Sequence, residues 1–411
     1  MSLGRATDVK LAIHHMAETT DILIAGGGPA GLAAAAIFGA AGFGVVCVDP
    51  TAPVTEETAE GADIRTTAIL QPGRELLVQA GAWQHLEKHA TALQVMQIMD
   101  ASSDGSVLKA FDAADLGEMP FGWNLPNWLL RSELLKSLNN LTNVSFRPGV
   151  GFSGYVPRMR EARVRLSDGT SVSAKLVIGA DGRSSAVREA VGIDVKTTRY
   201  GQKALAFAVT HPIPHDNVST EIHRSGGPFT FVPLPDLNGK PRSAVVWMER
   251  SAEAERLGKL EEKSFNAEAT ERSAGFLGPL ELAGRRSLWP MMSQIAERFD
   301  GPRVALMAEA AHVVPPIGAQ GLNMSLADLR CLLELSEIHR ENLGSPEMLS
   351  EYTRARWTDA QARVIGIDAL NRTSMAGHPV MQALRKQGVA ALHDVAPLRK
   401  LAMRMGLGAN A

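Results

Sequence analysis

The chain has 411 residues, 45% of them hydrophobic, and a formal net charge of -2. This length is enough for two domains with cores of their own, and the small net charge provides no positive field that would attract nucleic acid non-specifically. We therefore predict a soluble, globular protein that does not bind nucleic acid.

The cysteines and the longest apolar runs indicate the compartment. Cys47 and Cys331 are far apart in apolar surroundings, as is typical of reduced core residues. We find no stretch of about 18 apolar residues free of charge, so we predict no membrane-spanning helix. Residues 1–16 lack the apolar core and cleavage site of a secretory signal, and we interpret them as an extension or tag. These features predict a cytoplasmic protein.

The predicted domain opens with a strand, a helix and a second strand. Residues 21–25 form a continuous apolar run, the pattern of a parallel strand covered on both faces. The alanine-rich residues 29–42 favour a helix, and residues 45–48 return to β-branched apolar residues before Asp49. The pattern predicts a βαβ unit.

Two later apolar runs, residues 175–180 and 303–308, predict further buried strands of the same sheet, which is therefore assembled from distant pieces of chain. The runs between these pieces are separated by Pro, Gly and Asn turns and predict an antiparallel sheet. These runs are residues 204–209, 229–234 and 243–248.

The remaining segments are predicted to be helical. Residues 252–276 are rich in charge and predict an exposed helix beside the antiparallel sheet, and the chain from about residue 322 onward is mostly helical in pattern. The predicted fold is α/β, with an antiparallel-sheet domain inserted into a nucleotide-binding domain and a helical C-terminus.

A glycine-rich turn joins the first predicted strand to the first predicted helix. Gly26 permits a tight turn, Gly28 lets the main chain approach a pyrophosphate, and Gly31 lets helix and strand pack closely. The helix N-terminus adds free N–H groups, and Asp49 can accept hydrogen bonds from a ribose. A turn that binds nothing is the alternative, and the motif does not choose between FAD and NAD. The predicted binding residues are Gly26, Gly28, Pro29, Ala30, Gly31 and Asp49.

A second motif follows the predicted strand at residues 175–180. Residues 179–188, with the sequence GADGRSSAVR, resemble the GADG-x-x-S-x-V-R motif of flavoprotein aromatic hydroxylases. The resemblance implies that Asp181 serves the binding of both FAD and NAD(P)H. A strand-to-helix turn capped by serine is the alternative interpretation.

The third motif spans residues 308–323 and resembles the GDAAH…PP-x-GA-x-G-x-N segment of the same hydroxylases. Its glycines would let main-chain N–H groups approach the flavin, and the helix that begins near Leu322 would direct its positive end there. The resemblance implies contacts to FAD from Glu309, Pro316, Gly318, Gln320, Gly321, Leu322 and Asn323.

The third motif also departs from the family pattern. Ala308-Glu309 stands where Gly-Asp is usual, so the carboxylate expected at the FAD ribityl chain lies on a side chain one methylene longer, beside an added Cβ. His312 could be taken for a catalytic base, but the resemblance implies a fixed part of the turn.

The order of the three motifs resembles that of the group A FAD-dependent aromatic hydroxylases, which share the p-hydroxybenzoate hydroxylase fold. Weaker features, such as residues 200–202, 245–247 and the segments 385–389 and 397–400, are similar to the ubiquinone-biosynthesis hydroxylases. Arg65 and Arg131 match arginines that lie against FAD in the family, where their cations can meet phosphate. Solvated surface arginines are the alternative for these two residues.

The resemblance implies a domain division. The Rossmann-like FAD-binding domain comprises residues 17–95, 128–185 and 300–345. The substrate domain comprises residues 96–127 and 186–299, and residues 346–411 form a C-terminal helical region.

The resemblance also implies an activity, namely hydroxylation of a hydrophobic phenol with FAD as cofactor, NAD(P)H as reductant and O2 as oxygen source. FAD supplies the redox chemistry, and the sequence reveals no obvious base for the phenol. The alternatives are another aromatic substrate, a reductase or halogenase of the same fold, and a non-catalytic FAD-binding protein.

The C-terminal segment, residues 384–407, mixes apolar and basic positions. This composition is compatible with a helix on the inner membrane or on a biosynthetic complex. A packed terminal helix pair interrupted at Pro397 is the alternative, and the oligomeric state is open.

Overall fold

The computed structural model describes residues 18–101, 107–224, 226–375 and 393–407. Its strands are β1 (Glu18–Ala25), β2 (Val45–Asp49), β3 (Thr66–Leu70), β4 (Thr91–Leu93), β5 (Val95–Asp100), β6 (Val107–Asp112), β7 (Gly122–Pro126), β8 (Val144–Pro148), β9 (Phe152–Pro157), β10 (Ala162–Leu166), β11 (Ser171–Gly179), β12 (Val195–Thr210), β13 (Val218–His223), β14 (Pro228–Leu237), β15 (Lys240–Arg250), β16 (Glu281–Leu282), β17 (Ser287–Ala296), β18 (Asp300–Gly301), β19 (Val304–Leu306) and β20 (His312–Val313). Its α-helices are α1 (Pro29–Ala40), α2 (Gln71–Gln79), α3 (Trp83–Leu86), α4 (Asn127–Leu138), α5 (Ala186–Ala190), α6 (Ser251–Lys259), α7 (Glu262–Arg272), α8 (Gln320–Ile338), α9 (Pro346–Met375) and α10 (Ala396–Leu407).

The first sheet is parallel at its centre. Its strands run in the order β18-β19-β11-β1-β2-β8, and β10 and β9 continue it beside β11. Ile24 of β1 pairs with Cys47 on one side and Ile178 on the other, and all three side chains are fully buried. Such burial is expected of central parallel strands, and the predicted βαβ unit is confirmed.

The second sheet is largely antiparallel and has two different faces. Its order is β20-β17-β12-β15-β14-β13-β5-β6, and β13 pairs in parallel with β5, a departure from the antiparallel prediction. On one face, Phe207 and Trp247 pack with Leu257 of α6 and Phe265 of α7. The other face carries smaller and more flexible apolar side chains and faces the third motif, as described below.

A small third sheet, β3-β7-β4, was not predicted. Asn124 on β7 donates to the Pro233 carbonyl on β14 over 2.9 Å, which fastens this sheet to the second one. β7 comes from the stretch predicted as substrate domain, whereas β3 and β4 come from the predicted FAD-binding stretch. The domain boundaries stay a prediction.

Two predicted elements differ from the structure. The strand predicted over residues 303–308 is regular only over Val304–Leu306, because Arg303 and Ala308 have positive φ values of 63° and 55°. The single exposed helix predicted over residues 252–276 is wrong: Leu260 is extended, with ψ near 145°, and separates α6 from α7. Both helices bury apolar residues against the second sheet.

The C-terminal region is helical where the structure describes it. Pro397 does not interrupt a helix but lies in the first turn of α10, where a missing N–H costs nothing. Residues 385–389, which were similar to the ubiquinone-biosynthesis hydroxylases, and the extension 1–16 lie outside the described residues. Among the helices that the structure describes, we find none with the length and apolar character needed to span a bilayer.

Candidate functional site

The glycines of the first motif lie where main-chain atoms crowd together. Gly26 has a φ of 121°, and a Cβ there would come within 2.2 Å of the Ala180 carbonyl oxygen. A Cβ on Gly31 would come within 1.8 Å of the Gly26 carbonyl oxygen. Packing of β1 against α1 and against the second motif therefore requires both residues to be glycine.

Gly28 is different, because a Cβ built on it meets no atom within 4 Å. Gly28 is the N-cap of α1 and offers no side-chain cap, and Pro29 and Ala30 form the first turn. The N–H groups at this helix end therefore face open space into which a side chain on Gly28 would extend. This arrangement fits the pyrophosphate of a dinucleotide.

Asp49 at the end of β2 is tied to the same turn. One carboxylate oxygen accepts from the Gly27 N–H over 2.6 Å, and the other accepts from both the N–H and the hydroxyl of Thr51 over 2.8 Å. A carboxylate has about four acceptor positions, so Asp49 can still accept from a ribose. The sequence did not indicate the contact with Thr51.

The carboxylate of Asp181 caps the short helix that follows the second motif. It accepts from the Ser185 hydroxyl over 2.5 Å and from the Val187 N–H over 3.1 Å. The Ser185 oxygen in turn accepts from the Arg188 N–H over 2.9 Å. The geometry is that of the serine-capped turn, and the binding role of Asp181 stays a prediction.

Arg188 joins the second motif to the third. Its buried guanidinium donates to the Ala310 carbonyl over 2.8 Å and to the Arg183 carbonyl over 2.9 Å. Burial lowers the pKa of Arg188 despite the nearby charge of Asp181. Arg188 is the last position of the GADG-x-x-S-x-V-R motif, but its role as a link between the motifs was not predicted from the sequence.

Arg65 lies in a charged cluster near the third motif. Its guanidinium donates to both oxygens of Asp63, over 2.8 and 2.6 Å, and stacks 3.8 Å above the ring of Trp289 on β17. Burial disfavours its charged form, but Asp63, with a contribution from Glu309, raises the pKa of Arg65. Glu309 itself is exposed. The cluster therefore brings Arg65 near Glu309 and the second sheet.

Asp63 and Asn127 were missed by sequence reasoning. The Asn127 amide donates to Asp63 over 3.0 Å and accepts from the Thr67 hydroxyl over 2.7 Å. Burial acts to raise the pKa of Asp63, but the hydrogen bonds and charge of Arg65, together with Asn127 and Arg131, lower it. The only signal in the sequence was the spacing of Asp63 two residues before Arg65.

Arg131, on the first turns of α4, carries a buried polar atom that lacks a partner. Its Nε is shielded from solvent and makes no hydrogen bond within the described part of the chain. A buried donor without a partner costs about 1–3 kcal/mol, and an anionic ligand would satisfy it. Together with the open space at Gly28, this donor fits FAD.

His312 is held inside the protein. Its Nε2 lies 2.6 Å from an oxygen of Asp328, and both side chains are almost fully buried. Arg356 contacts the other Asp328 oxygen over 2.9 Å. His312 therefore fixes the turn and is not placed to act as a base on substrate.

The third motif continues into a turn formed by Gly318 and Ala319, whose φ values are 62° and 56°. Gly318 and Gly321 are exposed, as is Pro316, and Leu322 is half-buried. The Asn323 amide donates over 2.7 Å to each of two carbonyls and accepts from the Leu70 N–H over 2.9 Å. Asn323 therefore fastens β3 to the start of α8, and any contact of its side chain with FAD stays a prediction.

The three motifs form one cluster beside the small-residue face of the second sheet. Ala204, Met248 and Met291 make up an apolar patch on this face, and Tyr200, Val246 and Ile317 pack against it. Ile317 belongs to the third motif. Trp289 on β17 pairs with Ala204, and Arg65 stacks on its ring. The third motif therefore packs against this apolar face of the second sheet.

Replacing Ala308 with glycine is expected to raise the free energy of unfolding by up to about 1 kcal/mol. Ala308 has a φ of 55°, and an L-residue in this region costs about 1–2 kcal/mol, more than the chain entropy of about 0.4–1 kcal/mol that glycine adds to the unfolded state. Urea denaturation measures the free energy of unfolding of the variant. Ala310→Gly is the control, because Ala310 has a negative φ and glycine there should destabilise the protein. A308G no more stable than the parent would contradict it.

The comparisons with known proteins give a consistent result. A family model described as "FAD binding domain" matches residues 19–365. The chain is 32% identical to the ubiquinone hydroxylase UbiL of Rhodospirillum rubrum, covering 95% of this chain and 90% of the relative. It is 25% identical to the 3-demethoxyubiquinol 3-hydroxylase of Escherichia coli, covering 95% and 99%. The crystal structure of p-nitrophenol 4-monooxygenase from Pseudomonas putida matches with a TM-score of 0.77 at 19% identity, covering 96% and 100%.

Proposed function

Because the chain belongs to the FAD-binding-domain family of flavoprotein monooxygenases, we propose that it hydroxylates a hydrophobic, isoprenoid-bearing phenol in ubiquinone biosynthesis. FAD is the cofactor, NAD(P)H the reductant and O2 the source of the inserted oxygen. The proposal of this substrate is supported by two relatives, a ubiquinone hydroxylase and a 3-demethoxyubiquinol 3-hydroxylase, and by the apolar face of the second sheet.

The observation that carries the proposal is the composition of this face. Cross-strand pairs place Ala204 beside Met248, Ala206 beside Val246 and Ala208 beside Ala244. Four of these six side chains are alanine, and none of the six is polar. A long apolar substrate gains about 25 cal/mol per Å² of apolar surface that it buries there.

The chain's own residues bind the cofactor, orient the phenol and exclude water. The first motif would hold the pyrophosphate, Arg65 and Arg131 would supply cations to the anionic groups of FAD, and Ile317 packs on the apolar face from the side of the third motif. Exclusion of water protects the oxygenating step from wasteful loss of reductant.

The proposed function is tested by mass spectrometry of product formed under labelled O2, with prenylated phenols compared to simple benzoates. One labelled oxygen in a prenylated phenol supports the proposal. Label found only in small benzoates would indicate another aromatic substrate, and NAD(P)H oxidation without incorporation would indicate a reductase.

Replacing Ala206 with phenylalanine is expected to lower kcat/KM for a prenylated phenol by about 100-fold, because a ring at this position would crowd the face of the sheet on which the substrate is proposed to lie. Overpacking costs about 1–3 kcal/mol, so the variant should still fold and retain FAD, which absorbance at the flavin bands checks. A smaller phenol should lose less activity. Equal losses for both substrates would argue that Ala206 does not line the substrate site.

Contact with the inner membrane or with a biosynthetic complex, and assembly into an oligomer, belong to this proposal as well. Lys400, Leu401 and Arg404 on α10 are exposed. Residues 395–407 contain no acidic residue, so this surface suits an anionic partner.

A further inference from the structure

The side chain of Gln320 links the third motif to the C-terminal helix. Its amide nitrogen donates to the Gly318 carbonyl and to the Gly406 carbonyl, both over 2.9 Å. Its amide oxygen accepts from Arg363 over 2.9 Å. Gln320 is buried, and both of its N–H donors are used within the protein. The side chain that the family resemblance assigned to FAD is therefore engaged by α9 and α10.

The turn that Gln320 holds is conformationally costly. Gly318 and Ala319 are consecutive left-handed residues, and such a conformation is sterically unfavourable at Ala319, which carries a Cβ. Conformations of this kind persist only when surrounding contacts impose them. Gln320 binds the carbonyl of Gly318, and Asn323 binds that of Ala319 over 2.7 Å. Two amide side chains from the first turn of α8 thus fix the turn.

The orientation of Gln320 depends on a network that extends along α9. Arg363, which donates to Gln320, is held by both oxygens of Asp359 over 3.2 and 3.1 Å. Asp359 also accepts from Arg356 over 2.8 Å, and Arg356 contacts the buried Asp328. Within the described residues, these contacts join α9 and α10 to the turn through Gln320.

The helix α10 is fastened at its other end to the region next to the second sheet. Arg399 donates to the Asp115 carboxylate and to the His393 carbonyl, each over 2.9 Å. Lys109 on β6 contacts Asp394 over 2.6 Å. The helix thus spans from the neighbourhood of β6 to Gln320, and both ends have defined partners.

We propose that Gln320 is a positioning residue through which α10 sets the conformation of the 318–319 turn and, with it, the hold on FAD. When α10 is docked, the Gly406 carbonyl keeps the Gln320 amide in the orientation that also binds the Gly318 carbonyl. Coupling of two sites is reciprocal, so bound FAD also favours the docked helix. This inference rests on FAD binding and does not depend on which phenol is hydroxylated.

The first test replaces Gln320 in the holoprotein and follows release of flavin after dilution, by recovery of its fluorescence. Gln320→Met keeps the length of the side chain but removes every hydrogen bond, and we expect release to become about tenfold faster, within the usual range of such couplings. Gln320→Glu keeps the contact with Arg363 but cannot donate to either carbonyl, and should behave similarly. The reduction potential of bound flavin should fall in both variants, since fewer fixed N–H groups would stabilise the reduced, anionic form.

The second test asks whether α10 acts through Gln320. Arg399→Met removes the anchor at Asp115 and should speed flavin release several-fold in the parent protein but have no further effect beside Q320M, as a double-mutant cycle measures. Arg404→Met, on the exposed side of α10, is the matched control and should change nothing. If Q320M does not fold, Q320E takes its place in the cycle.

Two outcomes would overturn the inference. A Q320M protein of lower thermal stability with unchanged flavin release and reduction potential would give Gln320 a structural role only. Arg399→Met without effect in the parent, or with equal effects in both backgrounds, would show that α10 does not act through this side chain.

Discussion

Replacing Gly28 with valine is expected to raise the dissociation constant for FAD at least about 100-fold, while the chain still folds. A Cβ on Gly28 meets no protein atom within 4 Å, so the fold has space where a side chain at this position would begin. The added side chain occupies the space in front of α1 that the pyrophosphate requires. Loss of two hydrogen bonds to a charged group, at about 1.5–3 kcal/mol each, accounts for an effect of this size.

Flavin content after purification and titration of the protein with FAD measure this effect, and circular dichroism reports folding. The control is Gly31→Ala, because a Cβ there lies within 1.8 Å of the Gly26 carbonyl oxygen. Gly31→Ala should therefore lower the stability of the fold, whereas Gly28→Val should weaken FAD binding in a folded protein. A folded Gly28→Val protein that retains stoichiometric FAD would show that the cofactor lies elsewhere.

The local part of the site could be predicted from the sequence. Gly26, Gly28 and Gly31 follow one another within six residues between a strand and a helix, so their roles depend on short-range geometry that the sequence pattern determines. The structure separates these roles further: a Cβ clashes at Gly26 and Gly31 but not at Gly28.

The charged cluster at Arg65 could not be predicted, since its members come from distant parts of the chain. Asn127 binds Asp63 although the two are 64 residues apart in the sequence. Trp289, which lies under Arg65, is on β17 and therefore belongs to another sheet. No periodicity or spacing connects such residues, and only the tertiary packing of the three sheets brings them together.

Ala308 shows a second limit of prediction from the sequence. The sequence indicated that a glycine was missing, but the reason for glycine at this position is the left-handed conformation, which the structure reveals. The fold tolerates alanine because its neighbours hold the turn: the Ala308 N–H donates to Asp328 over 3.2 Å.

Replacing Asp328 with asparagine is expected to lower the free energy of unfolding by about 3–5 kcal/mol at neutral pH. Asp328 is fully buried and contacts His312 over 2.6 Å and Arg356 over 2.9 Å. Removal of one partner from a buried ion pair leaves an uncompensated charge, which accounts for the cost. Urea denaturation measures it, and Asp359→Asn is the control, because Asp359 also binds Arg356 but is partly exposed and should cost only about 0–1 kcal/mol.

The effect of Asp328 also has a pH dependence whose sign follows from its environment. Burial acts to raise the pKa of Asp328, but the charges and hydrogen bonds of His312 and Arg356 prevail and lower it below its usual value. The unfolded chain therefore binds a proton more readily than the folded one, so the contribution of Asp328 is present above about pH 4 and is lost as the pH falls through the folded pKa. The stability difference between the parent and Asp328→Asn should accordingly shrink in acid. A difference that stays constant down to pH 2 would mean that Asp328 holds the third motif through its shape and neutral hydrogen bonds, and not through its charge.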